Sequence, residues 1–217
     1  MPLSSVVGAQ SIIRPGVCTS STRPASPYDG QVIYETDTDK SLVYNGTGWV
    51  FLSTSRANAG GLDLVKTQTV GTAVSTVTVS DAFSSTYENY KIVVTGGVSS
   101  ASAVDIYMQL GATTTAYYSI RSGWRYAGTA LNFVDANNGS NWTVGGSVGT
   151  DPTINMDILG PNLSKKTYFN GLFSATSGIA NTAGYQDSTT QFTAFTLSLS
   201  SGTLTGGTIR VYGYVNS

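Results

Sequence analysis

The sequence predicts an all-β protein: an antiparallel β-sandwich, jelly-roll-like, preceded by an extended N-terminal arm and a small β-hairpin module. Three observations predict it. Short runs alternate apolar and polar side chains, the period of a strand with one buried face, and turn residues separate them. No segment carries an apolar stripe at helical spacing. Ser (28), Thr (30) and Gly (25) dominate the composition while charged residues make up only 11%, less than half the roughly 25% usual for soluble domains. Surface polarity must therefore come from hydroxyls and amides.

Residues 1–29 form the arm. They show no sustained period, and Pro2, Pro15, Pro24 and Pro27 each remove a backbone donor and break any helix. Residues 18–27 are expected to be extended or irregular, either docked on a partner or left as a disordered leader. Residues 30–53 form the hairpin module. Val32 and Tyr34 alternate with Gln31, Ile33 and Glu35, a polar turn follows, and Leu42 and Tyr44 alternate with Val43. A second turn, Asn45-Gly46-Thr47-Gly48, delivers Trp49, Val50 and Phe51. Two strands of this length are marginal in water on their own. Residues 54–66 read as a linker, most flexible at Gly60-Gly61, with 62–66 a short helical turn or the lead into the first strand.

Residues 67–217 form the sandwich. Residues 70–79 are β-branched, with Val77 and Val79 alternating against threonines. Residues 90–95 end at Gly96-Gly97. Val104, Ile106, Met108 and Leu110 share one face opposite Asp105, Tyr107 and Gln109, the clearest period of two in the chain. Residues 117–121 and 124–127 read as two strands parted by Ser122-Gly123. Ile154, Met156 and Ile158 alternate with Asn155 and Asp157; 167–174 carry Tyr168, Phe169, Leu172 and Phe173. Phe195, Leu197 and Leu199 line one face of 191–200, and Ile209, Val211 and Val215 one face of 208–215. Eight to ten strands without a helix argue a sandwich. The lack of a fixed-period repeat disfavours a solenoid.

Charge and composition exclude several functions. Eleven basic against twelve acidic residues leave a net charge of −1, with no basic stripe to neutralise phosphates, so no nucleic-acid partner is expected. Histidine is absent, which removes the usual general base and the commonest transition-metal ligand. Cys18 is the sole cysteine, so no intrachain disulfide can form. No apolar run reaches the roughly 18 residues of a membrane span, and membrane insertion is not expected. The opening residues lack a basic segment followed by an apolar one, so no secretory signal is expected.

Candidate chemistry is sparse. Glu35, Asp37 and Asp39 could offer carboxylates to a hard cation, but such residues also make turns by bonding their own backbone. Residues 135–139 resemble a calcium loop with the wrong spacing and read as a plain loop. Asp105 and Asp157 sit opposite apolar strand faces and are the carboxylates a glycosidase pair would draw on. Gly145-Gly146-Ser147-Val148-Gly149 matches the letters of a Gly-x-Ser-x-Gly elbow, but a chain without histidine has no Ser-His pair to activate the serine, and no Gly-Lys-Ser/Thr phosphate loop occurs. No cofactor, metal or catalytic residue is therefore expected, and the chain reads as non-enzymatic. The richest stretch for contact is 117–142: Tyr117, Tyr118, Arg121, Trp124, Arg125, Tyr126, Phe133 and Trp142. Aromatic faces stack on sugars, and Tyr, Trp and Arg dominate protein hot spots. The alternative is that these side chains fill the core or an interface between copies.

Residues 30–49 resemble the small hairpin module of bacteriophage tail fibres and other virion surface proteins. The closing 206–214, Gly-Gly-Thr-Ile-Arg-Val-Tyr-Gly-Tyr, is similar to the last strand of such domains in phage surface proteins. The resemblance implies a virion structural protein, on head or tail, made in the host cytoplasm and released within a particle. Its arm would attach to other virion proteins and its sandwich would touch the host surface, including cell-surface glycan. It also implies a homotrimer, in which Val32, Tyr34, Leu42, Tyr44, Trp49 and Phe51 supply the interface. Rival expectations are a capsid decoration protein clamping neighbouring subunits, and a polysaccharide-degrading or carbohydrate-binding module.

Overall fold

A computed structural model describes residues 15–52, 61–102, 104–126, 131–176 and 178–215. The chain divides into two compact units, residues 1–57 and 58–217. No described residue is helical.

The first unit is a four-stranded sheet in the order β1 (Gly16–Cys18), β2 (Val32–Glu35), β3 (Lys40–Tyr44), β4 (Trp49–Phe51). Local chemistry fixes both turns. Asp39 takes a left-handed φ of 56° between β2 and β3, a conformation Asp tolerates better than most residues. The Asn45 carboxamide oxygen accepts from the Thr47 N–H at 3.1 Å, the Thr47 hydroxyl at 2.9 Å and the Gly48 N–H at 2.9 Å. Residues 16–18, expected in the extended arm, instead pair in parallel with 33–35. The chain beyond them is tied to the hairpin. Ser20 donates to Asp37 through its N–H at 2.9 Å and its hydroxyl at 2.5 Å, and Arg23 pairs with Glu35. The rest of the arm, 1–14, the last residue of the hairpin module, Ser53, and the linker residues 54–60 lie outside the described residues.

The six side chains expected to form one interface fall on two faces. Ile33 is paired with Leu42 and Leu42 with Phe51, so these three share a face with Tyr44 and Trp49. Val32 and Tyr34 point to the other face, beside Val43 and Val50. Successive strand residues alternate, and the register leaves no freedom to bring all six together. Leu42 is already buried within the unit with Ile33, while Phe51 is exposed.

The second unit holds fourteen described strands. Eight form the frame: β5 (Leu62–Thr69), β6 (Thr76–Val79), β7 (Asn89–Thr95), β9 (Val104–Leu110), β12 (Trp142–Val148), β13 (Thr153–Leu159), β16 (Phe195–Leu199) and β18 (Thr208–Tyr214). Counted along the chain, one sheet runs first-eighth-third-sixth (β5-β18-β7-β13) and the other second-seventh-fourth-fifth (β6-β16-β9-β12). This is jelly-roll order, two Greek keys closed into a double sheet. Two hairpins are inserted: β10 (Tyr117–Arg125) with β11 (Leu131–Gly139), and β14 (Thr167–Ala175) with β15 (Gly178–Gln186). They continue the first sheet past β13, giving the eight-stranded order β11-β10-β15-β14-β13-β7-β18-β5. The short strands β8 (Val98–Ser99) and β17 (Leu204–Thr205) pair separately.

The core follows the periodicity. Tyr90, Ile92 and Val94 of β7, Ile106, Met108 and Leu110 of β9, and Ile154, Met156 and Ile158 of β13 are all buried. Trp142 is the largest fully buried side chain. Tyr117 meets it edge-on at 5.4 Å between ring centroids, and Phe169 lies 4.3 Å from it.

Several elements differ from expectation. Residues 62–66, placed in the linker with the lead into the first strand as one of two readings, are the first part of β5, and the helical-turn reading is excluded. Residues 70–75 leave the sheet, with left-handed Gly71 (φ 100°) and Ala73 (φ 52°), so the strand expected over 70–79 starts only at Thr76. Ser122-Gly123 is not a turn: β10 runs straight through it. A Cβ on Gly123 would stand 2.6 Å from the Ile179 carbonyl oxygen. The glycine therefore serves close approach of β15. Residues 135–139, read as a loop, are the end of β11.

Candidate functional site

The two outer faces of the second unit differ in chemistry. On the four-stranded sheet, Thr76, Thr78, Thr196 and Ser198 point away from the core, a hydroxylated surface suited to water. On the long sheet, the part added by the inserted hairpins presents apolar and aromatic side chains. Of the ten large apolar side chains exposed in this unit's described residues, six alternate outward from β10, β13, β14 and β15: Ile120, Trp124, Leu159, Tyr168, Leu172 and Ile179. Ile120 is 63% exposed and Trp124 47%. Single exposed apolar residues need no explanation, but a contiguous patch on one face marks a contact surface.

The strand register arranges this face in rows. Tyr118, Tyr185 and Tyr168 lie side by side across β10, β15 and β14. Tyr118 and Tyr185 stack at 4.8 Å with planes 10° apart, and Tyr168 follows at 5.8 Å. Lys166 sits 5.3 Å from the centre of the Tyr185 ring and pairs with Asp187 at 2.8 Å. Next comes Ile120, Ala183, Asn170, Asp157 and Lys91, then Ser122, Asn181, Leu172 and Asn155. The last row begins with Trp124 and Ile179. The two middle rows line an open groove of about 520 Å³, within the roughly 300–1,000 Å³ range of ligand sites.

Within the groove the charges are spent on each other. Lys91 donates to Asp157 Oδ1 at 3.1 Å, and the Tyr214 hydroxyl donates to the same oxygen at 2.5 Å. Burial first, then this carboxylate, pushes the Tyr214 phenol up to about 12. Asn155, Asn170, Asn181 and Ser122 make no side-chain hydrogen bond with any described residue. Four polar side chains on four adjacent strands are thus free to bond a ligand.

Three of the eight side chains singled out from the sequence belong to this exposed region: Tyr118 and Trp124 on the face, and Tyr126, exposed just past the end of β10. Three are elsewhere. Tyr117 and Trp142 are fully buried in the core. Arg121 points inward from β10 and reaches past the edge strand β12. Its Nη1 donates to Asp105 Oδ1 at 2.6 Å and to the Gly145 carbonyl at 2.7 Å. The side chains of Arg125 and Phe133 lie outside the described ones. Most of the face, including Ile120, Tyr185 and the three asparagines, was not read as a site from sequence. Its one sequence signal is the outward half of the two-residue period in each strand.

The candidate carboxylates are separated. Asp105 is in the four-stranded sheet with Arg121, and Asp157 is in the long sheet with Lys91, so the two do not form a pair across a substrate. Glu35, Asp37 and Asp39 each hold a different partner, Arg23 with Thr38, Ser20, and Tyr34. Among the described residues no three Cys, Asp or Glu side chains converge as a metal site would need. No family model, curated protein or solved structure matches this chain.

Proposed function

We propose that the chain is a non-enzymatic structural protein of a bacteriophage virion, a homotrimeric fibre held to the particle through its N-terminal unit. Its jelly-roll unit meets the host surface through the outer face of the long sheet. One observation carries the reading: a single outer face on which Ile120, Trp124, Tyr168, Leu172 and Ile179 stand open to solvent in and around a polar groove. A soluble fold rarely leaves such a patch without a partner. The hairpin resemblance of residues 30–49 supports the placement on a virion. Three copies would present three such faces together, raising avidity without a new contact.

The exposed face also suits a clamp between capsid subunits, which is the second reading. Imaging of intact particles separates them, because a fibre projects and a clamp bridges subunits. For the first reading, sedimentation of the purified chain is expected to give a three-copy species. Fluorescently labelled protein is expected to stain cells within a panel of bacteria, and Ile120→Thr with Leu172→Thr to abolish the staining. A monomer that stains no cell, or staining unchanged in the double variant, overturns it.

A further inference from the structure

We infer that the groove between the tyrosine row and Trp124 binds an uncharged saccharide chain. The inference rests on the host-contact reading and names the ligand class of that same face. Three features of the groove select the ligand.

The first is the set of free amides. Asn155, Asn170 and Asn181 come from three adjacent strands and have no partner among the described residues. Each carboxamide offers two donors and one acceptor oxygen, and a sugar hydroxyl both donates and accepts, so the two match without a charge on either side. A partner that covered these amides with apolar surface would leave them buried and unpaired, which is penalised. The second feature is neutrality. The charged groups that line the groove, Lys91 and Asp157, bond one another and Tyr214, so its lining holds no unpaired cation for a carboxylate or sulfate of an acidic sugar. The third is the frame. Stacked Tyr118 and Tyr185 run along one side and Trp124 with Ile179 along the other. The exposed Trp124 indole suits the apolar face of a pyranose, Tyr118 and Tyr185 turn a face to each other and so bound the groove as a wall, and the groove is open at the surface, as a polymer that extends beyond it requires. Strand addition by a peptide is ruled out at this place, because β13, β14 and β15 are interior strands with both edges paired.

The test uses the full chain on an array of bacterial surface oligosaccharides, neutral and acidic, read at low salt and at 1 M NaCl. Asn170→Ala and Asn181→Ala are compared with Thr76→Ala on the opposite sheet, and melting curves confirm that each variant is folded. Binding to neutral members that persists at 1 M NaCl, falls at least tenfold in both asparagine variants and is unchanged in Thr76→Ala bears the inference out. Three results overturn it: binding confined to acidic members and lost in salt, no binding to any member, or binding unaffected by either asparagine variant. If no saccharide binds but cells are still stained through Ile120 and Leu172, the occupant is a protein and only this inference fails. If the asparagine variants instead dissolve an assembly of copies, the face is an interface between them. If staining is absent as well, the host-contact reading fails with it.

Discussion

The Tyr117 hydroxyl accepts the Leu110 N–H at 2.7 Å and donates to the Thr113 carbonyl at 3.1 Å. It thereby closes the connection between β9 and β10 from inside the core. Burial pushes its phenol up to about 12. A raised phenol stabilises the fold fully below the ordinary value near 10, and that contribution is lost as pH rises through 12. Tyr117→Phe leaves the Leu110 N–H buried without its partner and is expected to cost about 1–3 kcal/mol, measured by urea unfolding. Thr167 is the opposite case. It is fully buried, and its hydroxyl has no hydrogen-bond partner. Thr167→Val keeps the shape, removes the orphaned oxygen and is expected to gain on the order of 1 kcal/mol. A thermal melt should then rise by about 2–4 °C; a fall would show that the hydroxyl is satisfied in solution.

Single elements are held by glycine and by carboxylates. The edge strand β12 carries Gly145-Gly146 where its register to β9 shifts. A Cβ on Gly146 would lie 2.0 Å from Arg121 Nη1 and 2.5 Å from Asp105 Oδ1. The missing side chain is the opening through which Arg121 reaches Asp105. Gly146→Ala is expected to break that bridge and cost about 1–3 kcal/mol of stability by overpacking. Adding Arg121→Ala to remove the clash should restore part of the loss, a double-mutant cycle that checks the cause. In the first unit, the Arg23 guanidinium and then the Thr38 hydroxyl hold the Glu35 carboxyl below its ordinary value. The Ser20 hydroxyl does the same for Asp37. A depressed carboxyl stabilises the fold above its unfolded value, near 4, and loses that contribution as pH falls through the lower folded value. Acid below about pH 4 should therefore loosen residues 19–23 from the hairpin, seen as faster amide exchange there while the second unit keeps its protection. Equal protection at pH 3 and pH 7 would refute it.

At the scale of the molecule, the jelly-roll frame buries its apolar side chains between two sheets, and the inserted hairpins lengthen only one of them. The hairpin strands thereby add Ile120, Trp124, Tyr168, Leu172 and Ile179 to the long sheet's outer face, and the four-stranded sheet gains no such strands. Ile120→Thr and Leu172→Thr keep residues that suit a strand and touch no core position. Their unfolding free energies are expected to stay within about 0.5 kcal/mol of the parent, while binding of a dye that reports exposed apolar surface falls. A large loss of stability would mean that the face is covered in the folded molecule.

The amino-acid sequence by itself determined the fold class and most of the core, because burial of one strand face imposes a period of two that any reader can count. Ile106, Met108, Ile154, Met156, Leu197, Ile209 and Val211 were legible in that way. It did not disclose β11, β12 or β15. The inward half of β15 is Gly178, Ala180, Thr182 and Gly184, with Gln186 at its end, and the small size of the first four reads as a turn or loop. They belong in a strand because a Cβ on Gly184 would lie 2.0 Å from the Tyr118 carbonyl oxygen. Nor could it tell Tyr117 and Trp142, which are core, from Tyr118 and Trp124, which are surface. Neighbouring aromatics on one strand point to opposite faces, and which face meets water depends on the strands laid beside it. Only the tertiary structure decided that, by placing β10, β15, β14 and β13 side by side and so gathering three distant asparagines into one groove.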